Sequence, residues 1–307
     1  MWQRRFFLSE ISLSIQVRGD FVLKKISYLI ILLFTTTGCF ANTLPEPTLS
    51  SSTTQEGASS ESKQEERVIE LINTFKGFQS PTGIAVDNDG NLYVTNWSGS
   101  TVTKVDTEGN YSVFADGMGS PAGLDFDKDG NLYISDYSKD VIYKVTPDGE
   151  KIIFAQGLYT PTGITFNQAG ELLVANRGSN EIVKVDGEGN SEVIVGEMRT
   201  PVGVVEDLDG NLYVTNYGGG IIKVTADGNA SMISDEFERP GVGIDISEGN
   251  IIYAADNGDG CVRILNPDGT TEIAINDISG CVAVLVHGDT LYIGSWGAGA
   301  VYAYRIR

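Results

Sequence analysis

Histidine, cysteine and basic side chains are scarce in this 307-residue sequence. His287 is the one histidine and there are three cysteines, so neither a multi-histidine metal site nor a catalytic pair of histidines can form. Lysine and arginine together number 21 against 41 aspartates and glutamates, which gives a net charge of -20. A nucleic-acid groove needs a basic surface that displaces counterions from phosphates, so we expect no nucleic-acid partner.

Long apolar runs are also absent. The run from Ile26 to Phe34 is too short to cross a bilayer as a helix. Lys24 and Lys25 precede it and the letters TGC, ending at Cys39, follow it, which is the order of a secretory signal. This ending resembles that of bacterial lipoprotein signals, in which the cysteine is acylated and becomes the new N-terminus.

We therefore predict that residues 1–38 are an export signal and that a lipid on Cys39 anchors the protein to a bacterial membrane, facing the periplasm or the cell surface. Thr36 stands where such signals usually have leucine, so an ordinary cleaved signal or an incidental cysteine are the alternatives. A start codon near Val22 would place residues 1–21 outside the protein. Residues 39–65 are rich in Ser, Thr and Glu, and this composition predicts a flexible tether.

One sequence unit recurs at a period of about forty residues, which is typical of propeller blades. Four clear copies begin at Ser80, Ser120, Thr160 and Thr200, and they read SPTGIAVDNDGNLYVTN, SPAGLDFDKDGNLYISD, TPTGITFNQAGELLVAN and TPVGVVEDLDGNLYVTN. A looser copy starts at Arg239 and an eroded one at Gly280.

Each copy contains four short alternating runs separated by Asp-Gly and Gly-Asn turns, the pattern of a four-stranded antiparallel blade. The sixth copy stops after its third run, AVYAYRIR, and the missing fourth run is RVIELINTFKG, which precedes the first copy. Residues 66–307 are thus predicted to form an all-β, six-bladed β-propeller whose N-terminal strand completes the last blade.

The Asp-x-Asp-Gly of the first copy could also begin a calcium loop. In that reading Asp87 and Asp89 would be ligands, but Ala85 and Asn96 would hold the first and last ligand positions, which they suit poorly. The strand–turn–strand pattern survives in every copy whereas the aspartates do not, so we interpret the motif as a hairpin turn.

The repeat P-x-G-I-x-x-D-x-D-G-N-L-Y-V-x-[ND] resembles the NHL repeat and the wider six-bladed propellers that include the gluconolactonase/senescence-marker-protein family. That resemblance implies a catalytic calcium held by the residue between Pro and Gly of several blades. The matching residues here are Thr82, Ala122, Thr162, Val202, Val242 and Cys281. None is a carboxylate or an amide, so that calcium site is not supported.

Two acidic residues lie near the predicted axis, on opposite sides of the ring. Asp125 and Asp245 stand three residues further along the first strands of blades 2 and 5. In phosphotriesterase relatives of the same family an aspartate at this position lies below the calcium. Calcium at these two carboxylates is one interpretation; solvation by channel water or bonding to neighbouring backbone is the other.

Two sets of equivalent residues, one from each blade, stand at the ends of the second strands and should line the central mouth. We call them the first and the second column. The first column is polar: Asn96, Asp136, Asn176, Asn216, Asp256 and Ser295. The second follows it directly: Trp97, Tyr137, Arg177, Tyr217, Asn257 and Trp296. Asn and Asp commonly bond turn backbone, but turns have no need of Trp or Tyr. We predict a ligand site at the mouth; packing between blades is the alternative for the rings.

Cys261 and Cys281 open strands on the mouth side of blades 5 and 6. In an oxidising compartment they could form a disulfide, and the sequence leaves open whether they are bonded or free.

These features favour a monomeric, envelope-anchored lipoprotein that binds a protein, a glycan or a small molecule at its mouth. A divergent calcium-dependent lactonase or esterase of the gluconolactonase type, a propeller lyase and a structural member of an envelope complex are the alternatives. The sequence does not name the ligand.

Overall fold

The computed structural model describes residues 69–306, and within that range no helix is long and apolar enough to cross a membrane. The predicted export signal, Cys39 and the tether lie outside the described residues. The described part of the chain forms six four-stranded antiparallel sheets, each a blade of a propeller, as predicted.

The strands follow one another outward from the axis in each blade. Blade 1 contains β2 (Pro81–Val86), β3 (Leu92–Asn96), β4 (Thr101–Val105) and β5 (Tyr111–Ala115). Blade 2 contains β6 (Pro121–Phe126), β7 (Leu132–Asp136), β8 (Val141–Val145) and β9 (Lys151–Gln156). Blade 3 contains β10 (Pro161–Phe166), β11 (Leu172–Asn176), a 3-10 turn (Arg177–Ser179), β12 (Glu181–Val185) and β13 (Ser191–Val195).

The remaining blades repeat this order. Blade 4 contains β14 (Pro201–Glu206), β15 (Leu212–Asn216), β16 (Ile221–Val224) and β17 (Ala230–Ser234). Blade 5 contains β18 (Pro240–Ile246), β19 (Ile252–Asp256), β20 (Cys261–Leu265) and β21 (Thr271–Ile275). Blade 6 contains β22 (Cys281–His287), β23 (Thr290–Ser295), β24 (Ala300–Ile306) and, as its outermost strand, β1 (Ile69–Lys76).

The ring is closed by β1, which pairs antiparallel with β24. Their register runs from Ile69 opposite Ile306 to Lys76 opposite Ala300, with a bulge at the residue between Leu71 and Asn73. This confirms the predicted closure by the N-terminal strand, which leaves blade 6 with the same four strands as the others.

The core lies between blades, because each sheet is covered on both faces by its neighbours. Every residue of β3, β7, β11, β15 and β19 is buried accordingly. Tyr93 shows how the blades are joined: its ring packs edge-on against Phe114 of its own blade, with centroids 4.9 Å apart, and against Phe126 of the next blade, 5.0 Å away. Tyr133 repeats this arrangement one blade further on.

The glycine of the Pro-x-Gly motif marks where the inner strands meet around the axis. A Cβ on Gly83 would lie 2.3 Å from the carbonyl oxygen of Ala122, and one on Gly163 would lie 2.6 Å from that of Val202. Only glycine permits this approach, which brings the starts of the first strands together under the mouth.

The Asp-x-Asp-Gly segment is a hairpin turn, as predicted. Asp87 Oδ1 accepts the backbone N–H of Asp89 at 3.0 Å and that of Asn91 at 2.8 Å. The carboxylate therefore satisfies its own turn, as Asp and Asn commonly do.

Candidate functional site

The second column of the sequence analysis converges on one cavity at the mouth of the propeller. The cavity is about 160 Å³ and all six members of that column line it: Trp97, Tyr137, Arg177, Tyr217, Asn257 and Trp296. Each follows the last residue of a second strand. That last residue pairs with the first residue of the inner strand, as Asn96 does with Pro81. The residues that follow the second strands therefore meet above the inner strands.

Aromatic rings and guanidinium groups touch in sequence around the mouth. The ring centroid of Trp97 lies 6.3 Å from that of Trp296 and 4.8 Å from that of Tyr137. The guanidinium carbon of Arg177 lies 5.5 Å from the centroid of Tyr137 and 5.2 Å from that of Tyr217. These contacts hold the walls of the cavity in fixed orientations.

Arg239 was missed by the sequence analysis. Its guanidinium carbon lies 5.7 Å from the ring centroid of Tyr217, which lines the cavity, although Arg239 itself does not. The one signal in the sequence was an arginine before the proline of blade 5, where blades 1 to 4 have Ser or Thr.

The floor of the cavity consists of residues from the starts of the inner strands and is largely apolar. It includes Thr82, Thr162, Val202, Val242 and Val282. Trp296 Nε1 donates to Thr82 Oγ1 at 3.1 Å, and that hydroxyl donates to the Ser80 carbonyl at 2.9 Å. The Thr162 hydroxyl donates to the Ala175 carbonyl at 3.1 Å.

The first column, in contrast, lies beneath the surface and holds backbone. The side chains of Asn96, Asp136, Asn176, Asn216 and Asp256 are at most 4% exposed. Asn96, Asn176 and Asn216 each accept the backbone N–H of the loop that precedes the first strand of the same blade, at 2.7 to 2.9 Å. Asp136 accepts two such N–H groups, from Gly119 and Ser120.

These five side chains therefore position the loops instead of facing a ligand. All five were predicted as ligand residues, and none of them is among the residues that line the cavity. Each of the five accepts a backbone N–H from a residue 16 to 18 positions earlier in the chain, and Asp136 also accepts that of Ser138, two residues on, as in an ordinary turn. That long-range pairing could not be read from the local pattern.

Asp256 also forms an ion pair inside blade 5. It accepts the N–H groups of Glu238 and Arg239, and its Oδ2 lies 3.1 Å from Arg263 Nε. Arg263 pairs with Asp259 as well. Asp256, Asp259 and Cys261 come close enough together to hold a metal, but both carboxylates already pair with the guanidinium of Arg263.

Both cysteines of the propeller are free and buried, so the disulfide considered from the sequence is not formed in the structure. Burial raises the pKa of the Cys261 thiol to about 11, and that of Cys281 is raised further by burial and by Cys261. Both thiols are therefore protonated and unreactive near neutral pH.

The register of blade 6 corrects one assignment made from the sequence. Cys281 pairs with Ser295 as Pro81 pairs with Asn96, so Cys281 occupies the proline position and Val282 faces the mouth. The residue equivalent to Asp125 in blade 6 is Leu285, which pairs with Tyr292 as Asp125 pairs with Tyr133. Without a Pro-x-Gly motif the sequence of this blade had no marker for the register.

Asp125 and Asp245 tie neighbouring inner strands together. Asp125 accepts the N–H of Phe126 at 2.8 Å and, in the next blade, the N–H of Phe166 at 2.8 Å. Asp245 accepts the N–H of Ile246 at 2.8 Å and that of Val286 at 2.7 Å. Of the interpretations offered by the sequence, bonding to neighbouring backbone is the one observed.

Burial raises the pKa of the Asp125 carboxyl to about 6 and that of Asp245 to about 7, although their N–H donors act in the opposite direction. The charge of Asp125 contributes to the rise at Asp245.

Calcium does not fit the donor groups at the mouth. The ion prefers six or more oxygens, several of them from carboxylates. No carboxylate lines the cavity among the described residues, and the position between Pro and Gly supplies only the hydroxyls of Thr82 and Thr162, whose hydrogens already have acceptors.

Comparisons with known proteins agree with this architecture. The NHL repeat matches residues 78–104, which include β2, β3 and all but the last residue of β4 in blade 1. No curated protein is significantly similar in sequence. Among solved structures, a gluconolactonase from Xanthomonas campestris is similar with a TM-score of 0.68 at 13% identity, covering 78% of this chain and 91% of that one.

Two other solved structures show how widely this fold is shared. Virginiamycin B lyase from Staphylococcus aureus has a TM-score of 0.61 at 14% identity, covering 78% of this chain and 99% of that one. A chain of a nidogen/laminin complex has a TM-score of 0.63 at 21% identity, covering 69% of this chain and 88% of that one. At these identities the likeness establishes the propeller fold and not an activity.

Proposed function

We propose that this NHL-like, six-bladed propeller is a binding module that captures its ligand in the mouth cavity. The observation that carries the proposal is the convergence of residues from all six blades on one cavity with aromatic walls. Cavities lined by aromatic and apolar side chains with a few polar groups are typical ligand sites.

The exposure of the mouth rings supports binding over packing between blades. Tyr217 and Trp296 are each 42% exposed, whereas Tyr93 and Tyr133, which do join blades, are 4% and 5% exposed. Large rings left open to solvent around a cavity cost free energy unless a ligand covers them, and such patches commonly mark interaction sites.

A location at the cell envelope stays a prediction from residues 1–65. An exported, lipid-anchored module would present its mouth to ligands outside the cytoplasm. Membrane fractionation of a Cys39→Ser variant tests this part, because loss of the acylated cysteine should release the protein from the membrane fraction.

The structure gives less support to the enzymatic alternatives. The cavity offers no carboxylate for a calcium-dependent lactonase, as described above. For a lyase, the solved complex with quinupristin is of a catalytically inactive histidine-to-alanine variant. His287 of this chain is the last residue of β22, about 20 Å along the strand from the mouth end.

The proposal is tested with the fluorescence of Trp97 and Trp296. In the chain without residues 1–38 they are the only tryptophans, and both line the cavity. A panel of glycans, peptides and small molecules should contain ligands that change this fluorescence, with binding confirmed by calorimetry.

A Trp97→Ala, Trp296→Ala variant should lose calorimetric binding of those ligands while its melting temperature falls by less than about 5 °C, since both rings are partly exposed. Trp2 lies outside the shortened chain and does not interfere. Unfolding of the variant would show instead that the two rings are packing residues, and unchanged binding would place the site elsewhere.

A further inference from the structure

The mouth contains a positive charge that no acidic side chain of the described chain neutralises. Arg263 and Arg305 each lie within 4.0 Å of carboxylates. Arg177 and Arg239 have no such partner among residues 69–306, although the whole chain carries a net charge of -20. Arg199 has no such partner either, but among these three only Arg177 lines the cavity. An unpaired arginine in the wall of a cavity favours an anion from outside the chain.

The hydrogen-bond donors of Arg177 are also left open. The guanidinium has five N–H groups, and the structure gives it one acceptor, the Tyr137 hydroxyl, 2.9 Å from Nη1. Its Nε is buried without any acceptor. A buried donor without a partner is unfavourable, so the free protein holds the Arg177 side chain in this position at a cost.

The guanidinium of Arg177 is held in place before any ligand arrives. Its central carbon lies 5.5 Å from the ring centroid of Tyr137 and 5.2 Å from that of Tyr217. The guanidinium carbon of Arg239 lies 5.7 Å from the same Tyr217 ring. A planar, preorganised guanidinium recognises carboxylates with little further loss of entropy.

The size and lining of the cavity restrict the rest of the ligand. A cavity of about 150 Å³ suffices for a benzene-sized ring, and this one is about 160 Å³. Val202, Val242 and Val282 make its floor largely apolar, and the hydroxyls of Thr82 and Thr162 already donate to backbone carbonyls. A sugar would bury several hydroxyls here with few partners, whereas a flat aromatic ring would not.

We propose that the mouth cavity binds a small aromatic carboxylate, with its ring against Trp97 and Trp296 and its carboxylate accepting N–H groups of Arg177. This inference rests on the proposed binding function and specifies the ligand class. The aromatic walls supply stacking area, and the arginine supplies charge and direction.

The test compares four probes at about pH 7, where carboxylic acids are ionised. Benzoate has both the ring and the charge, benzamide has the ring alone, cyclohexanecarboxylate has the charge on a non-planar ring, and galacturonate has the charge on a sugar. Each is titrated into the chain without residues 1–38 and followed by tryptophan fluorescence and calorimetry. Benzoate should bind at least about tenfold more tightly than each of the other three.

Substitution of Arg177 separates charge recognition from folding. The Arg177→Gln variant should bind benzoate and benzamide with about equal affinity, because its affinity for benzoate falls while that for benzamide changes little. In Arg177→Lys part of the preference should remain, because the charge is kept but the planar group is lost. Arg199→Gln is the matched control, since Arg199 lies on the same face but does not line the cavity, and it should keep the full preference.

The outcomes distinguish this inference from the proposed function. Equal binding of benzoate and benzamide, or a preference for galacturonate, would overturn the inference and leave the binding function standing. Retention of the preference in a folded Arg177→Gln variant would overturn it as well. Should that variant unfold, Arg177→Lys replaces it: this variant is expected to bind benzoate more weakly than the unchanged protein, and equal binding counts against the inference. No response to these probes or to the wider panel would overturn both proposals.

Discussion

Single glycines determine how closely neighbouring blades meet at the propeller axis. Gly163 of β10 has no room for a side chain, since a Cβ would lie 2.6 Å from the Val202 carbonyl oxygen and 2.8 Å from the Gly203 Cα. Both obstacles are backbone atoms, which cannot turn away as a flexible side chain can. The floor of the mouth cavity is built from these same strand starts.

Gly163→Ala should therefore lower the free energy of unfolding by about 3 kcal/mol, equivalent to a melting temperature roughly 6–12 °C lower. Gly196→Ala is the matched control, because no atom lies within 4 Å of the added methyl group and the backbone there is not left-handed. It should change stability by less than about 1 kcal/mol. Urea unfolding of both variants measures this, and equal effects would contradict a close approach at the axis.

The residues of the mouth were only partly predictable from the sequence. Trp97, Tyr137 and Arg177 stood out because turns do not require such side chains, and all three line the cavity. Asn176 and its equivalents were indistinguishable from ligand residues, because their partners lie in a loop that only the folded blade brings near. The hydrogen bond from that loop to the asparagine decides which residue of an Asn-Trp or Asn-Arg pair faces the cavity.

Strands and their order, in contrast, follow directly from the repeat. The alternating runs of the first copy match β2 to β5, and the turn residues between them have the roles expected of Asp and Gly. Blade 6 departed from the prediction by one residue because it lacks Pro-x-Gly, and a shift of one residue exchanges the two faces of a strand. Val282, not Cys281, therefore reaches the cavity.

Strand β1 should be indispensable for the stability of the ring. A chain that starts at Gly77 lacks β1 and leaves β24 as an open edge of a three-stranded blade. Compared with a chain that starts at Glu66, it should lose at least about 3 kcal/mol of unfolding free energy, seen as a melting temperature lower by roughly 6 °C or more.

A synthetic peptide of residues 66–76 should restore part of this loss by pairing with β24, as added strands do in other proteins. A peptide of the same composition in scrambled order is the control. If the shorter chain melted at the same temperature as the longer one, closure by β1 would contribute nothing to stability.

At the scale of the whole molecule, the net charge of -20 attracts cations without selecting among them. Calcium and magnesium, each at about millimolar concentration, should therefore shift the melting temperature by the same small amount. A specific site would stabilise the native state in proportion to its occupancy, and only for the ion that fits it.

Thermal unfolding with each ion measures this, and an Asp125→Asn, Asp245→Asn variant serves as the control for the channel carboxylates. A rise seen with calcium alone and lost in that variant would contradict the binding module and favour the hydrolase of the gluconolactonase type. The same result would require both carboxylates to exchange backbone partners for the ion.

Closure of the ring also sets the order of events during folding. Trp296 of blade 6 donates its hydrogen bond to Thr82 of blade 1, 214 residues earlier in the chain, and its ring meets that of Trp97. Contacts of such sequence separation form slowly, because the whole intervening chain must first be placed. The cavity thus cannot exist in a partly synthesised or partly folded chain. Ligand capture would then be the last ability that the protein acquires, and a ligand present during folding would act on the final step alone.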